Sequence, residues 1–365
     1  MTLTDYVTSA IDVIALLFLA GLVHGNSILN RLRKKPFIYG ILLTILVIVA
    51  EVGTLVFGQD GFDLRFLHVL FNVVGFSLTP LIPLILIAIF HLETIKKRAL
   101  FLLPTGINGI MSLLSPWFGW IFSIDGNNFY ARGPLFGVFV AVYLFNIFLL
   151  LVSTHRSGKR HLYSIRAHIL GLTLFAVIGT CVQLLIPSIY SSWHCVTLSL
   201  FLYYILLTDF DGSFDPLTGL YNRAAFEKAT SQLKSGTPFS IVVMDINLFK
   251  EINDTCGHDY GDLVLKSIAI TIRNAFNDGT PCFRIGGDEF CVITKEVHQE
   301  DLEQRLKQMT VQLSLLRHDD RHLPTLSYGF STYHGVGAVD FTSIVKEADN
   351  QMYYYKNLQK NLLKP

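Results

Sequence analysis

The sequence predicts two joined folds: an all-α bundle of seven transmembrane helices, followed by a soluble domain mixing strands and helices. Three observations carry this. Hydrophobic residues make up 51% of the chain and charged ones only 16%, with mean hydropathy +0.46. That apolar weight fills residues 7–208, whereas 210–365 have the make-up of an ordinary soluble domain. Finally, the second part holds a strand that ends in an acid and a glycine hairpin followed by two more acids. The expected domains are 1–208 and 209–365.

A helix needs about 20 apolar residues to cross a hydrocarbon core of ~30 Å. Seven candidates lie near 7–29, 37–57, 66–90, 99–123, 134–154, 166–187 and 193–208. The loops after the first, third and fifth are basic: Arg31, Arg33, Lys34 and Lys35; Lys96, Lys97 and Arg98; Arg156, Lys159, Arg160 and Arg166. The alternate loops carry only Arg65 and Arg132. Positive-inside bias then places the N-terminus outside and the C-terminal domain in the cytoplasm. No basic residue precedes the first span, so it does not read as a cleaved signal peptide. A net charge of +1 argues against a nucleic-acid partner. The five cysteines show no metal-ligand spacing, and Cys256, Cys282 and Cys291 are expected as reduced thiols.

Polar residues inside spans are costly in lipid. Asp12, Glu51, His68, Asn72, Gln183 and His194 fall in the outer halves, with Asn108 and Asn146 deeper. They read either as an outward-facing pocket for an unknown small ligand or ion, or as hydrogen-bonding glue between helices. Trp117, Trp120 and Trp193 read as interfacial belt residues. Between the last span and the soluble domain only Thr208–Ser213 intervene, with Asp209, Asp211 and Gly212 expected to break the helix.

In the soluble part, residues 239–246 (FSIVVMDI) are a buried-strand pattern with Asp245 near its end. A lone buried carboxylate is expensive, so Asp245 needs a partner, either a metal or a strand-end cap. Residues 284–290 (RIGGDEF) place two glycines in a hairpin before Asp288 and Glu289. Carboxylates at such a tip suit a hard cation, and glycine lets a backbone approach a ligand closely. Lys250 follows the first acid and suits a phosphate. Asn253 and Asp262 together offer donors and acceptors to a base edge. Asp262 reads equally as the N-cap of a helix it begins. His258 reads as a structural turn histidine.

Four blocks in order resemble the GGDEF family of diguanylate cyclases: FDPLTGLYNRAAFE at 214–227, DINLFKEINDTCGHDYGD at 245–262, RIGGDEF, and ADNQMYYYKNLQKN at 348–361. The resemblance covers the chain from about 210 to its end. It implies a palm-like α/β nucleotidyl-cyclase fold and a homodimer making cyclic di-GMP from two GTP. It further implies that Asp245, Asp288 and the Ile246 carbonyl bind Mg²⁺, two ions per site with Mn²⁺ possible. Glu289 matches the acid at the metals and attacking hydroxyl; Asn253 and Asp262 match the guanine-reading pair. Lys250, Lys356 and Lys360 match triphosphate positions, and Gly286 and Gly287 let the backbone lie along the nucleotide.

There are three departures. Asn247 replaces a frequent acid, and Lys360 stands where Arg is usual. The window Asn277–Thr280 lacks the charged anchors of the product-inhibition site many relatives carry. Seven spans ahead of a signalling domain resemble the sensor regions of bacterial receptors, and YARGPLF at 130–136 echoes them. The expectation is therefore a multi-pass enzyme of a bacterial inner membrane, in contact with lipid. A non-catalytic GTP-binding module and a receptor or transporter are the alternatives.

Overall fold

The computed structural model of the chain describes residues 3–58, 64–97, 99–157, 165–186, 192–276, 279–320 and 322–362. Arg98, Lys159, Arg160, Asn277 and Asp278 lie outside these, as do the side chains of Lys96, Lys97, Arg156, Arg166, Gln183 and Lys360. The chain divides into two compact units, Met1–Asp211 and Gly212–Pro365.

The first unit contains α1 (Leu3–Gly25), α2 (Arg31–Phe57), α3 (Arg65–Leu78), α4 (Leu81–Lys97), a 3₁₀ turn (Ala99–Leu102) and α5 (Leu103–Phe118). A hairpin of β1 (Phe122–Ile124) and β2 (Tyr130–Arg132) follows, then α6 (Phe136–Ser157), α7 (Ile165–Leu185) and α8 (Ser192–Asp211). Leu16, Leu19, Phe37, Ile41, Leu200 and Tyr203 fill its core. Its outside is apolar as well: Phe18 is 65% exposed, Leu32 71%, Leu113 58% and Ile205 61%, a surface of the kind that meets lipid or another protein. Among the described residues, five helices are long and apolar enough to cross a membrane. A sixth crossing is possible if α3 and α4 form one span, bent by 42°. The apolar part of α7 is shorter, Leu170–Gly179.

Three expectations change. The span expected at 66–90 is broken at Thr79–Pro80, because Pro80 removes an N–H that a continuous helix needs, although Thr79 itself keeps helical angles (φ −52°, ψ −44°). Amides repair the break: Asn108 Nδ2 donates to the Phe76 carbonyl (2.9 Å) and Asn146 Nδ2 to the Pro80 carbonyl (2.8 Å). The span expected to reach 123 stops at Phe118, where Gly119 turns left-handed at φ +64°. Phe122 and Ile124 are then buried around an exposed Ser123, the two-residue period of a strand. Lastly, Asp209 and Asp211 do not break α8. Asp211 accepts from Arg33 Nη1 (2.6 Å) and from the Asn30 N–H (2.9 Å), so the α1–α2 loop holds the last turn in place. Arg33 also lies over the Phe210 ring at 4.9 Å, and Asn26 Nδ2 donates to Tyr204 Oη (2.9 Å) and Thr208 Oγ1 (3.2 Å).

The second unit contains α9 (Arg223–Ser231), β3 (Phe239–Ile246), α10 (Phe249–Cys256), α11 (His258–Ala275), β4 (Cys282–Arg284) and β5 (Glu289–Thr294). It ends with α12 (Gln299–Asp319), β6 (Leu326–Tyr333) and α13 (Phe341–Leu362). The sheet is antiparallel with order β4-β5-β3-β6, a palm-like α/β arrangement. Successive β3 residues face opposite sides. Val242, Met244 and Ile246 join Val264, Ile268 and Ile272 of α11 and Leu302, Leu306 and Met309 of α12. The alternate face, which carries Asp245, is covered by α13. Gly329 on β6 allows that cover: a Cβ there would lie 2.1 Å from the Ala348 carbonyl oxygen. Cys282 and Cys291 are buried in the sheet; burial pushes the Cys282 thiol up to about 12 and the Cys291 thiol higher still.

Candidate active site and a cavity in the helical unit

The acids converge at one end of the sheet. β3 and β5 pair so that Asp245 stands directly opposite Glu289, on the same face. The Ile246 N–H donates to the Asp288 carbonyl (3.2 Å), which ties the hairpin tip to the end of β3. Lys356 Nζ, on α13, lies 2.5 Å from Asp245 Oδ1. Burial raises the Asp245 carboxyl above the usual carboxylate range; Lys356 opposes this, while Asp288 and Asp349 add to it. Burial likewise raises Glu289, followed by repulsion from Asp245, Asp288 and Asp349. A cluster of carboxylates that raise one another is a donor set a hard cation would relieve. The donor types therefore suit a divalent metal, although among the described residues no three His, Cys, Asp or Glu side chains already stand so as to hold one.

The glycines have separate physical reasons. At Gly286 a Cβ would come 2.6 Å from Glu289 Oε2. At Gly261 it would come 2.0 Å from Asn253 Oδ1, so glycine leaves room on α11 for the Asn253 side chain of α10. Asp262 does not begin its helix as expected. α11 starts at His258, so Asp262 lies inside it, exposed, and the N-cap reading falls. Lys250 is exposed on α10, behind Leu248, which holds a left-handed φ of +57°.

Several supporting residues escaped the sequence reading. Arg284 Nη2 donates to the Gly287 carbonyl (2.8 Å), and its Nη1 reaches Asp215 (3.2 Å). Burial alone would raise Asp215, but hydrogen bonds from the Thr218 side chain and backbone, then Arg284, outweigh it and lower its carboxyl. The FDPLTG turn is thus a brace for the hairpin, and the Arg before two glycines was its signal. Asp349 faces the acids from α13. Asn247, noted as a departure, is buried structure: its amide donates to Thr325 Oγ1 (2.8 Å) and its oxygen accepts from Ser327 Oγ (2.8 Å).

In the helical unit, Glu51, His68 and Asn72 line one cavity of about 700 Å³ with Tyr143, Trp193 and Arg132. Asp12 and His194 are not part of it; they pair with each other between α1 and α8. Trp193 is partly buried and donates its indole N–H to Glu51. Asn108 and Asn146 serve the helix break instead.

Residues 213–362 match the family model described as "Diguanylate cyclase, GGDEF domain", and this segment is a GGDEF domain. Among curated relatives, the chain is 29% identical over 163 residues to the diguanylate cyclase VdcA of Vibrio cholerae, covering 42% of this chain and 47% of that protein. It is 28% identical over 156 residues to the diguanylate cyclase DosC of Escherichia coli, covering 40% of this chain and 34% of that protein. The chain thus spans less than half the length of these relatives. Among solved structures, the GGDEF domain of DgcB from Caulobacter crescentus, in complex with c-di-GMP, is 29% identical. That match covers 40% of this chain and 90% of that one, with a TM-score of 0.35.

Proposed function

We propose that the chain is a membrane-anchored diguanylate cyclase, regulated through its helical unit. The observation that carries the reading is the convergence of Asp245, Asp288 and Glu289 at one sheet end beneath Lys356. Two GTP would be joined: each 3′-hydroxyl oxygen bonds to the α-phosphorus of the other GTP, and each pyrophosphate leaves. Asp245, Asp288 and the Ile246 carbonyl are the residues to hold two Mg²⁺ or Mn²⁺. When bound, such ions lower the pKa of the attacking hydroxyl and neutralise phosphate charge. Asn253 and Asp262 read the guanine edge. Gly286 and Gly287 leave room for the nucleotide along the backbone, and Lys250, Lys356 and Lys360 take phosphate oxygens. Glu289 is the acid assigned to the attacking hydroxyl and its proton. With Lys356 on Asp245, this geometry is a resting one, and phosphate gives the ammonium its alternative partner.

One such site holds one GTP, so a symmetric pair of chains completes the reaction. The five apolar helices support membrane placement, and the reading of seven crossings adds the α3–α4 pair and the shorter apolar stretch of α7. Basic loops put the N-terminus outside and the GGDEF domain in the cytoplasm of a bacterial inner membrane. Incubating the purified protein with GTP and Mg²⁺ and reading products by mass spectrometry tests this. Cyclic di-GMP and pyrophosphate are expected; GTP bound but unconverted would favour a binding module instead.

A further inference from the structure

The cavity of about 700 Å³ in the first unit lies within the size range of small-molecule sites. Its walls are largely aromatic, with Phe71, Phe76, Phe139, Tyr143 and Trp193 contributed by three helices. This shape is built. Gly53 brings α2 against α3, since a Cβ there would lie 2.4 Å from the Phe71 ring, and Phe71 stacks on Phe57 at 5.7 Å. The β1–β2 hairpin is fastened at the cavity: Asn128 Nδ2 donates to the Phe57 carbonyl (2.6 Å), and Asn128 Oδ1 meets His68 Nδ1 (2.9 Å).

Two residues of opposite charge line this cavity. Arg132 is exposed and rests its guanidinium 4.7 Å from the centre of the Phe136 ring. Glu51 is partly buried, and the Trp193 indole N–H fixes its carboxylate. Glu51 is thus the acidic side chain of a largely aromatic cavity. Aromatic faces attract cations through their quadrupoles, and a desolvated carboxylate adds to that attraction. An anion would meet the ring faces unfavourably and, among the described lining residues, find an arginine or lysine only at the exposed Arg132.

We propose that this cavity binds an organic amine with an apolar body, its ammonium on Glu51 and its body against Phe71, Phe139 and Tyr143. The proposal names the ligand class for the input function and rests on that reading. Its test separates the two, because binding is measured directly and cyclic di-GMP formation independently.

The probes are 2-phenylethylammonium and 3-phenylpropionate, which share a body and differ in charge. Each is titrated by calorimetry into the full-length protein in phospholipid nanodiscs. The ammonium should bind saturably and on the order of tenfold tighter than the carboxylate. Glu51→Gln, which keeps an acceptor for Trp193, should weaken ammonium binding by a similar factor, whereas Arg132→Gln should not. Comparing the probes on the unaltered protein needs no variant, so it stands even if Glu51→Gln fails to insert. Failure of the ammonium to saturate, equal or tighter carboxylate binding, or undiminished binding in folded Glu51→Gln overturns the proposal. So does a phospholipid held in the cavity that the ammonium does not displace, read by native mass spectrometry. Ammonium binding with no change in cyclic di-GMP output would keep the site and remove only its regulatory role.

Discussion

Asp245 is the residue on which most depends. It ends the central strand, faces Glu289, and is held by Lys356 at 2.5 Å. Asp245→Ala and Asp288→Ala are each expected to abolish cyclic di-GMP formation in the folded protein. Their stabilities should differ. Asp288→Ala removes repulsion from Asp245 and Glu289 and should be neutral or stabilising without metal. Asp245→Ala strands Lys356 and should be the less stable of the two. Thermal unfolding in chelator, beside a product assay, checks both; near-normal turnover in either would remove the metal assignment. Asp215 makes a pH-dependent contribution. Its folded carboxyl lies below the ordinary value of 3.8, so its stabilisation is full above that value and fades as pH falls through the lower, folded one. Asp215→Asn should cost about 1–3 kcal/mol near neutrality. That gap should close on acidification, as read from denaturant midpoints at several pH values.

Elements were legible where one local signal decided them. FSIVVMDI is the strand Phe239–Ile246 because unbroken β-branched and apolar residues suit a strand covered on both faces. The glycine hairpin is likewise as read, between β4 and β5. What stayed hidden depends on contacts distant in sequence. Nothing near Asp211 announces that Arg33 will extend α8 past two acids, and nothing near Pro80 says that Asn108 and Asn146 will supply its missing donors. Alternation over Ile121–Ile124 was masked by a preceding helical pattern of the same apolar residues. Within the site, the acids were legible as types, but the Asp215–Arg284 brace was not, since its partners lie far apart in the chain. Two glycines separate packing from recognition. Gly329→Ala should push α13 off β6 and cost about 1–3 kcal/mol by overpacking, measured in the same denaturant assay. Gly261→Ala meets only the movable end of Asn253, so it should raise the KM for GTP while largely sparing stability.

At the scale of the whole molecule, α8 closes the first unit, and the second begins at the next residue in the chain. The Arg33–Asp211 pair therefore sits at the only covalent route between them. Asp211→Asn should loosen that last turn and lower full-length turnover by about fivefold, a typical coupling magnitude. Glu227→Gln, which breaks the exposed Arg223–Glu227 pair, should not; equal effects would show that charge loss alone was responsible. The sheet thiols make such comparisons possible without a spectroscopic probe. Alkylating reagents consume thiolates, and Cys282 and Cys291 are both sealed and held neutral. Cys256 is half-buried in the second unit and does not enjoy that protection. Iodoacetamide should mark it early. The paired mass gain at Cys282 and Cys291 then acts as a clock for opening of the GGDEF sheet, legible by peptide mapping of protein held in phospholipid nanodiscs.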